Sequence, residues 1–326
     1  MTRPVVFIPE PIADCGIALL EDSCEFAAPW REGRDANEDE LRALFRQADA
    51  SITRLFPVRG EDIEGAPNLK VIGRHGVGVD MVDCEAAAAR RIPIVITPEA
   101  NSNAVAEHAV ALMMACAKQL VAAHQAVVSG NFADRVHIKG VELAGKTLGL
   151  IGLGRIGTRV ARLAAGGFGM RVVAYDPLVD VGTYDGPATI ESSLDTVLQS
   201  ADFLSLHVPL IEATKNLISA ERMERLKPGC CVINTARGGI IDESALVRAL
   251  ESGTVSAAGI DALEREPVTV DDPLCSAPNT ILSPHTATST REALENMARD
   301  AAQGVLDVLQ GRKPQWVANP EVFDAS

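Results

Sequence analysis

The chain has 326 residues, a length that suits about two domains of ordinary size. Hydrophobic residues make up 47% of the sequence and aromatic residues only 4%, so the core is expected to be aliphatic. The formal net charge of −14 argues against nucleic acid or an anionic membrane surface as a partner. The seven cysteines show no metal-ligand spacing, and neither a signal peptide nor a membrane-spanning run is apparent, so we expect a cytoplasmic protein without a metal site.

The first hundred residues alternate short apolar runs with amphipathic segments. We predict strands at 5–8, 50–53, 70–73 and 92–96, and helices at 12–20, 37–47 and 84–90. This alternation is typical of an open parallel sheet covered by helices. A long helix is then predicted from about residue 101 to about residue 128, and it could carry the chain from one domain into another.

A glycine-rich turn follows the next predicted strand and opens a helix. Gly152 permits a tight turn, Gly154 lets the backbone approach a pyrophosphate, and Gly157 lets the helix pack against the strand. The N–H groups and the dipole of the helix N-terminus favour a phosphate charge. We therefore expect the three glycines, together with Arg155 and Ile156, to bind a dinucleotide.

An acidic residue ends the second strand of this predicted unit. The strands occupy residues 147–151 and 171–175, and Asp176 follows the second one directly. Its carboxylate can accept hydrogen bonds from both ribose hydroxyls and would repel a 2′-phosphate. The sequence therefore predicts NAD, and not NADP, as the cofactor.

The alternation of strands and helices resumes after this unit. We predict strands at 202–207, 231–234, 257–261 and 280–283, and helices at 220–226 and 243–250. A final helix is expected to open with a capping box formed by Ser289 and Glu292 and to run to Gly311.

These elements predict two doubly wound parallel-sheet α/β domains. Residues 1–100 with 291–326 would form a flavodoxin-like substrate-binding domain. Residues 101–290 would form an inserted Rossmann domain that binds NAD.

Reactive side chains follow three of the predicted strands. Ligands of open α/β sheets bind outside the carboxyl ends of the strands, so these positions are candidates for chemistry. Arg237 lies in a glycine-flanked turn, Glu264 and Glu266 follow the next strand, and His285 follows the last one. Oxidation of an alcohol by hydride transfer needs a base for the hydroxyl proton, which histidine can supply. A carboxylate can orient that imidazole, and an arginine can bind a substrate carboxylate with two hydrogen bonds.

On these residues the sequence resembles the D-2-hydroxyacid dehydrogenase family. Arg237 lies in the segment Asn-Thr-Ala-Arg-Gly-Gly, Glu266 follows twenty-nine residues later directly before a proline, and His285 directly follows a proline. The similarity covers essentially the whole chain and includes the segment 73–80. It implies that Arg237, Glu266 and His285 are the catalytic residues, and it favours Glu266 over Glu264.

The resemblance also implies the remaining contacts of the site. The backbone around Val77 and Gly78, the side chain of Asn101 and the catalytic Arg237 would bind the substrate. Besides the glycine turn and Asp176, the residues implied to contact NAD are Val208, Pro209, Thr235, Ala236, Asp261 and His285.

The choice of substrate depends on three arginines. Arg54, Arg74 and Arg135 fall where the D-3-phosphoglycerate dehydrogenases of this family hold the phosphate. In relatives the counterpart of Arg135 comes from the neighbouring subunit, which implies a homodimer. The expected substrate is therefore 3-phosphoglycerate, 3-phosphohydroxypyruvate or a similar anionic acid such as sulfolactate, and the chain resembles short forms without a regulatory domain. The apolar segment 55–58 argues against this choice, because those enzymes tend to be small and polar there.

Two alternatives remain open. A hydroxypyruvate or glyoxylate reductase would share the catalytic residues and differ only in the pocket. A non-catalytic NAD-sensing co-repressor would share the fold. His75 lies beside the carboxylate-binding segment, where relatives usually carry alanine, and it could shape the pocket.

Overall fold

The computed structural model of the protein describes residues 3–324. They divide into two compact units. Unit 1 contains the chain up to Asn101 and again from Ser289 onward, and unit 2 contains Ser102–Thr288.

Within its described residues, unit 1 builds a five-stranded sheet in which every neighbouring pair is parallel. Its strands are β1 (Val5–Phe7), β2 (Glu25–Ala27), β3 (Ala50–Thr53), β4 (Val71–Arg74) and β5 (Ile94–Val95). The strand order is β2-β1-β3-β4-β5. This is the flavodoxin-like doubly wound order, as the sequence predicted.

Helices cover this sheet. They are α1 (Asp14–Glu21), α2 (Glu38–Gln47), α3 (Gly60–Glu64), α4 (Cys84–Ala89) and, from the end of the chain, α12 (Arg291–Leu309). Helix α12 packs against α1, β3 and β4 because its apolar face, which includes Met297, Ala301 and Val305, is buried there. The side chain of Thr290 caps α12 by accepting a hydrogen bond from the Ala293 N–H. The cap therefore lies one residue after the predicted Ser289.

Unit 2, which the structure describes throughout, builds a seven-stranded parallel sheet. Its strands are β6 (Thr147–Ile151), β7 (Arg171–Tyr175), β8 (Ala188–Ile190), β9 (Phe203–Leu206), β10 (Cys230–Asn234), β11 (Val255–Ile260) and β12 (Thr280–Leu282). The order β12-β11-β10-β9-β6-β7-β8 reverses direction between β6 and β9. That reversal is the switch point at which Rossmann folds bind dinucleotides.

The helices of unit 2 lie on both faces of its sheet. They are α5 (Ser102–Ala117), α6 (Leu120–Val128), α7 (Arg155–Phe168), α8 (Leu194–Ser200), α9 (Ala220–Met223), α10 (Glu243–Ser252) and α11 (Pro273–Ser276). Short 3₁₀ helices occupy Pro29–Glu32 and Pro320–Phe323 in unit 1 and Phe132–Val136 in unit 2.

The prediction of one long helix from 101 to 128 is wrong. The chain breaks between α5 and α6, where Gln119 adopts a left-handed φ of 49°, and the two helix axes differ by 60°. Helix α5 is buried against β10, β11 and α7, whereas the apolar side chains of α6 are largely exposed. Among residues 3–324, no single helix is long and apolar enough to cross a membrane, and α5 and α6 reach that length and composition only as a bent pair.

Candidate active site

The predicted NAD-binding residues lie along one edge of the unit 2 sheet. They directly follow strands β6, β7, β9, β10, β11 and β12, at the carboxyl end of each strand. Parallel strands present these ends on the same side, which is where doubly wound sheets bind ligands. The residues after β9 are His207, Val208 and Pro209, and those after β10 are Thr235, Ala236 and Arg237.

The glycine turn after β6 has the shape that a dinucleotide requires. Gly152 has a φ of +96°, a conformation that favours glycine, and a methyl group at Gly157 would collide with the carbonyl oxygen of Gly152. By contrast, a methyl group at Gly154 would meet no protein atom within 4 Å. Gly154 is the N-cap of α7 and provides no side chain, so Arg155 and Ile156 begin a helix whose N-terminus can face a phosphate.

Asp176 holds the glycine turn and its own loop at the same time. One carboxylate oxygen accepts a hydrogen bond from the Leu153 N–H at 2.8 Å, and the other from the Leu178 N–H at 2.9 Å. Each oxygen keeps a further lone pair for a ribose hydroxyl. Leu178, two residues after Asp176, is 93% exposed. A 2′-phosphate would meet its apolar side chain there, and not a cation. The residues of this edge thus fit NAD.

A network of backbone contacts fixes the turn that carries Arg237. The Asn234 side chain donates to the Arg237 carbonyl at 2.9 Å and accepts from the Ala236 N–H at 3.0 Å. A methyl group at Gly238 would collide with the Leu263 carbonyl, so the turn lies directly against the segment that follows β11. Arg237 itself is half-buried.

Glu266 and His285 form a direct pair. The Nδ1 atom of His285 lies 2.9 Å and 3.1 Å from the two carboxylate oxygens of Glu266. Glu266 also accepts a hydrogen bond from the Leu263 N–H at 3.0 Å. The backbone N–H of Glu264, the competing acidic residue, donates to the Glu243 carboxylate at 2.7 Å. With Nδ1 directed at Glu266, the other ring nitrogen of His285 remains for a substrate oxygen.

Asp261 is the buried anion of this edge. Burial alone would raise its pKa, but hydrogen bonds from His108 and Ser283 and from two backbone N–H groups lower the pKa of Asp261 to about 2. The carboxylate is therefore charged at neutral pH. His108 and Ser283 are absent from the residues that the sequence predicted for the site, and both lie on elements that the sequence did identify.

In unit 1, the guanidinium of Arg74 donates hydrogen bonds to the surrounding loops. It is 7% exposed and donates to the carbonyls of Thr53, Arg54 and Gly78, each at 3.1 Å. It also lies 3.2 Å from the Thr53 hydroxyl. These bonds connect the loop after β3 to the predicted carboxylate-binding segment around Val77 and Gly78. Arg74 therefore stabilises both loops.

The loop that carries Arg54 has a second support. The carboxylate of Glu10 accepts hydrogen bonds from the Arg54 N–H at 3.1 Å and the Leu55 N–H at 3.0 Å. The Arg54 side chain is half-buried, and its guanidinium lies 3.5 Å from the Ser289 hydroxyl. In the sequence, the only sign of this role for Glu10 is that an acidic residue closely follows β1.

Val77 and Gly78 carry backbone donors that remain available. Among residues 3–324, neither N–H group donates a hydrogen bond. Asn101 is buried, and its amide nitrogen lies 3.5 Å from the sulfur of Met297. The backbone N–H groups of Val77 and Gly78, more than the Asn101 side chain, are thus available to bind an anion.

Two further predicted positions have distinct surroundings. His75 is 5% exposed, and neither of its ring nitrogens has a hydrogen-bond partner among the described residues. Arg135 belongs to unit 2, is exposed, and has its guanidinium 4.9 Å from the centre of the Phe132 ring.

Comparison with known proteins gives one consistent family. Residues 110–287 match the model described as "D-isomer specific 2-hydroxyacid dehydrogenase, NAD binding domain". The chain is 41% identical over 95% of its length to a D-3-phosphoglycerate dehydrogenase of Mycobacterium tuberculosis, but it spans only 58% of that protein. It is 36% identical to a glyoxylate reductase of Thermofilum pendens, covering 99% of this chain and 96% of the relative.

A solved structure supports the same grouping. The NAD-dependent formate dehydrogenase of Staphylococcus aureus in complex with NAD superposes with a TM-score of 0.83 at 28% identity. The match covers 95% of this chain and 97% of the other.

Proposed function

The chain belongs to the D-isomer specific 2-hydroxyacid dehydrogenase family, and we propose that it is an NAD-dependent dehydrogenase of an anionic D-2-hydroxy acid, with 3-phosphoglycerate as the first candidate. The observation that carries the proposal is the hydrogen-bonded pair of Glu266 and His285 at the carboxyl edge of an NAD-binding sheet. A histidine with one nitrogen held by a carboxylate is equipped to exchange a proton with a substrate oxygen.

His285 would act as the general base for oxidation and as the general acid for reduction. Glu266 accepts the Nδ1–H bond, which orients the ring and stabilises the imidazolium that forms when Nε2 takes the hydroxyl proton. Arg237 would bind the substrate carboxylate and polarise the neighbouring oxygen. NAD held at the glycine turn and Asp176 would supply the acceptor for the hydride of the carbon that bears that oxygen.

Arg54 is the residue proposed to bind a second anion on the substrate. Its backbone is held by Glu10, and its guanidinium meets a neutral serine hydroxyl at 3.5 Å, which a phosphate or sulfonate could replace. Arg74 would contribute by holding the two loops, since its donors contact three backbone carbonyls.

A glyoxylate or hydroxypyruvate reductase is the second candidate. Leu55 is 65% exposed beside Arg54, which suits a small substrate without an anionic tail. The relative named glyoxylate reductase also matches this chain over 96% of its own length.

A substrate panel with one variant separates the two candidates. NADH oxidation would be measured with phosphohydroxypyruvate, hydroxypyruvate and glyoxylate. Arg54→Ala should lower kcat/KM for phosphohydroxypyruvate by about ten- to a hundredfold and leave glyoxylate almost unchanged. Arg59→Ala is the matched control, because Arg59 is exposed and pairs with Glu38. An unmodified protein that prefers glyoxylate or hydroxypyruvate would establish the second candidate instead.

We also propose a homodimer in which Arg135 acts in the partner's site. Support comes from exposed apolar side chains on α6 and the following 3₁₀ helix, namely Leu120, Val121, Val127, Val128, Phe132 and Val136. Arg135→Ala and His285→Ala proteins, each with little activity on phosphohydroxypyruvate, should regain the turnover of one normal site, half that of a normal dimer, in each mixed dimer after subunit exchange. Failure of the mixture to regain activity would place Arg135 in its own subunit's site or outside any site.

A cytoplasmic location is part of the proposal. All seven cysteines are free, and burial raises the pKa of the Cys230 thiol to about 12, so it would remain protonated. Such thiols suit a reducing compartment. Cell fractionation tests this directly.

A further inference from the structure

His285 has a backbone conformation that its neighbours must hold in place. Its φ is +52°, in the left-handed region that non-glycine residues rarely adopt. Such a conformation persists only where the surrounding contacts determine it. The contacts around His285 therefore decide whether its ring meets Glu266.

One residue, Asp261, supplies most of these contacts. The N–H groups of three consecutive residues, His285, Thr286 and Ala287, each donate to Asp261 at 2.9 Å. The first contacts the Asp261 carbonyl, and the other two contact separate carboxylate oxygens. Three successive donors around one acceptor fix the path of the chain through this turn.

The orientation of the Asp261 carboxylate is set in turn by Ser283 and His108. The Ser283 hydroxyl lies 2.6 Å from one carboxylate oxygen, and the Nε2 atom of His108 lies 3.0 Å from the same hydroxyl and 3.4 Å from the same carboxylate oxygen. An ionised carboxylate can only accept, so the hydroxyl proton points to Asp261 and the hydroxyl oxygen accepts from the Nε2–H of His108. His108 lies on α5, which packs against β11 and β12, so the chain of bonds begins on a packed helix.

We propose that His108 and Ser283 are positioning residues, which align the Asp261 carboxylate and thereby hold His285 in the conformation that pairs with Glu266. This inference rests on the proposed function, because it assigns His285 the proton-transfer step. Neither residue touches the reacting atoms, and both act through Asp261.

The test separates the hydrogen bond from the bulk of the side chain. His108→Leu fills similar space without a donor, whereas His108→Gln can place an amide N–H near the former Nε2. The leucine variant should lower kcat by about ten- to a hundredfold and raise the solvent deuterium isotope effect on kcat, while the Kd of NADH changes far less. The glutamine variant should restore most of kcat. Glu251→Leu, at an exposed position on α10, controls for the introduction of a leucine.

Ser283 provides a second route to the same answer if the His108 variants fold poorly. Ser283→Ala should reproduce the loss and Ser283→Thr should retain activity. Combining Ser283→Ala with His108→Leu should cost little more than either change alone, because both break one chain of bonds. Normal kcat in His108→Leu, or equal losses in the leucine and glutamine variants, would overturn the inference.

A readout without turnover keeps this test distinct from that of the proposed function. The imidazole N–H resonance of His285, identified by its loss in His285→Ala, reports the bond to Glu266. It should shift in His108→Leu, and an unchanged resonance would refute the positioning role. An unmodified protein that reduces no 2-oxo acid would refute the proposed function alone.

Discussion

Protonation of His75 is expected to limit the stability of unit 1 in acid. Burial, and after it the charge of Arg54, lowers the pKa of His75 from 6.5 to about 4. The unfolded chain binds a proton as the pH falls through about 6.5, whereas the folded chain binds it only near pH 4. The free energy of unfolding must therefore fall as the pH drops through this window.

The expected size of the effect follows from the two pKa values. Between pH 7.5 and pH 5.0 the free energy of unfolding should fall by about 2 kcal/mol through this residue. The full fall, through both pKa values, is about 3 kcal/mol. His75→Leu removes the titrating group and its two unpaired nitrogens. Relative to the unmodified protein, the variant should therefore gain about 2 kcal/mol of stability when the pH is lowered from 7.5 to 5.0.

Tryptophan fluorescence during urea unfolding measures the correct part of the molecule. The two tryptophans, Trp30 and Trp316, both belong to unit 1, as does His75. His124→Gln, at an exposed position in unit 2, is the control and should follow the unmodified protein at both pH values. If the stabilities of the unmodified and His75→Leu proteins fall in parallel with pH, the buried histidine is not the cause.

Three further predictions concern the cofactor edge. Gly154→Ala should keep the normal melting temperature but weaken NADH binding, since a methyl group there meets no protein atom within 4 Å and would meet the pyrophosphate; Gly157→Ala should lower the melting temperature as well, and equal melting of the two variants would contradict this. Asp176→Ala should reduce the preference for NAD over NADP in kcat/KM by about tenfold or more, whereas equal use of both cofactors by the unmodified protein would disprove the assignment. Gly238→Ala should lower kcat with little change in the Kd of NADH, because the methyl group would push the Arg237 turn away from Leu263; normal turnover would show that the turn can move.

Local sequence patterns predicted the strands of the cofactor unit well. The bounds of β6 and β7 match the prediction, because an apolar run between a polar segment and a glycine turn leaves little freedom of register. The edge strands β2 and β8 were missed, since each has only three residues and no repeating apolar pattern. Apolar periodicity also failed to predict the end of α5 at Gln119. The apolar residues continue at helical spacing past this position, although only α5 is buried.

Arg74 shows why a side chain's use is harder to predict than its position. The sequence indicated a cation after a strand, which suits an anionic substrate. In the structure its donors also contact carbonyls of Thr53 and Arg54, which belong to a neighbouring strand and its loop. Strand pairing brings these groups together, and the sequence around residue 74 carries no sign of it.

The geometry of His285 has the same origin over a longer distance. The sequence predicted that a histidine would follow the last strand, and it identified Glu266 as the carboxylate partner. It could not predict the left-handed turn, because that turn depends on Asp261, and the hydroxyl that aligns Asp261 is bonded to a residue 175 positions away in the sequence. The strand ends and the family resemblance together thus predicted which residues pair at this edge, whereas the orientation of the pair depends on buried polar partners such as His108. Variants of those partners therefore test the proton-transfer geometry while leaving the reacting groups themselves intact.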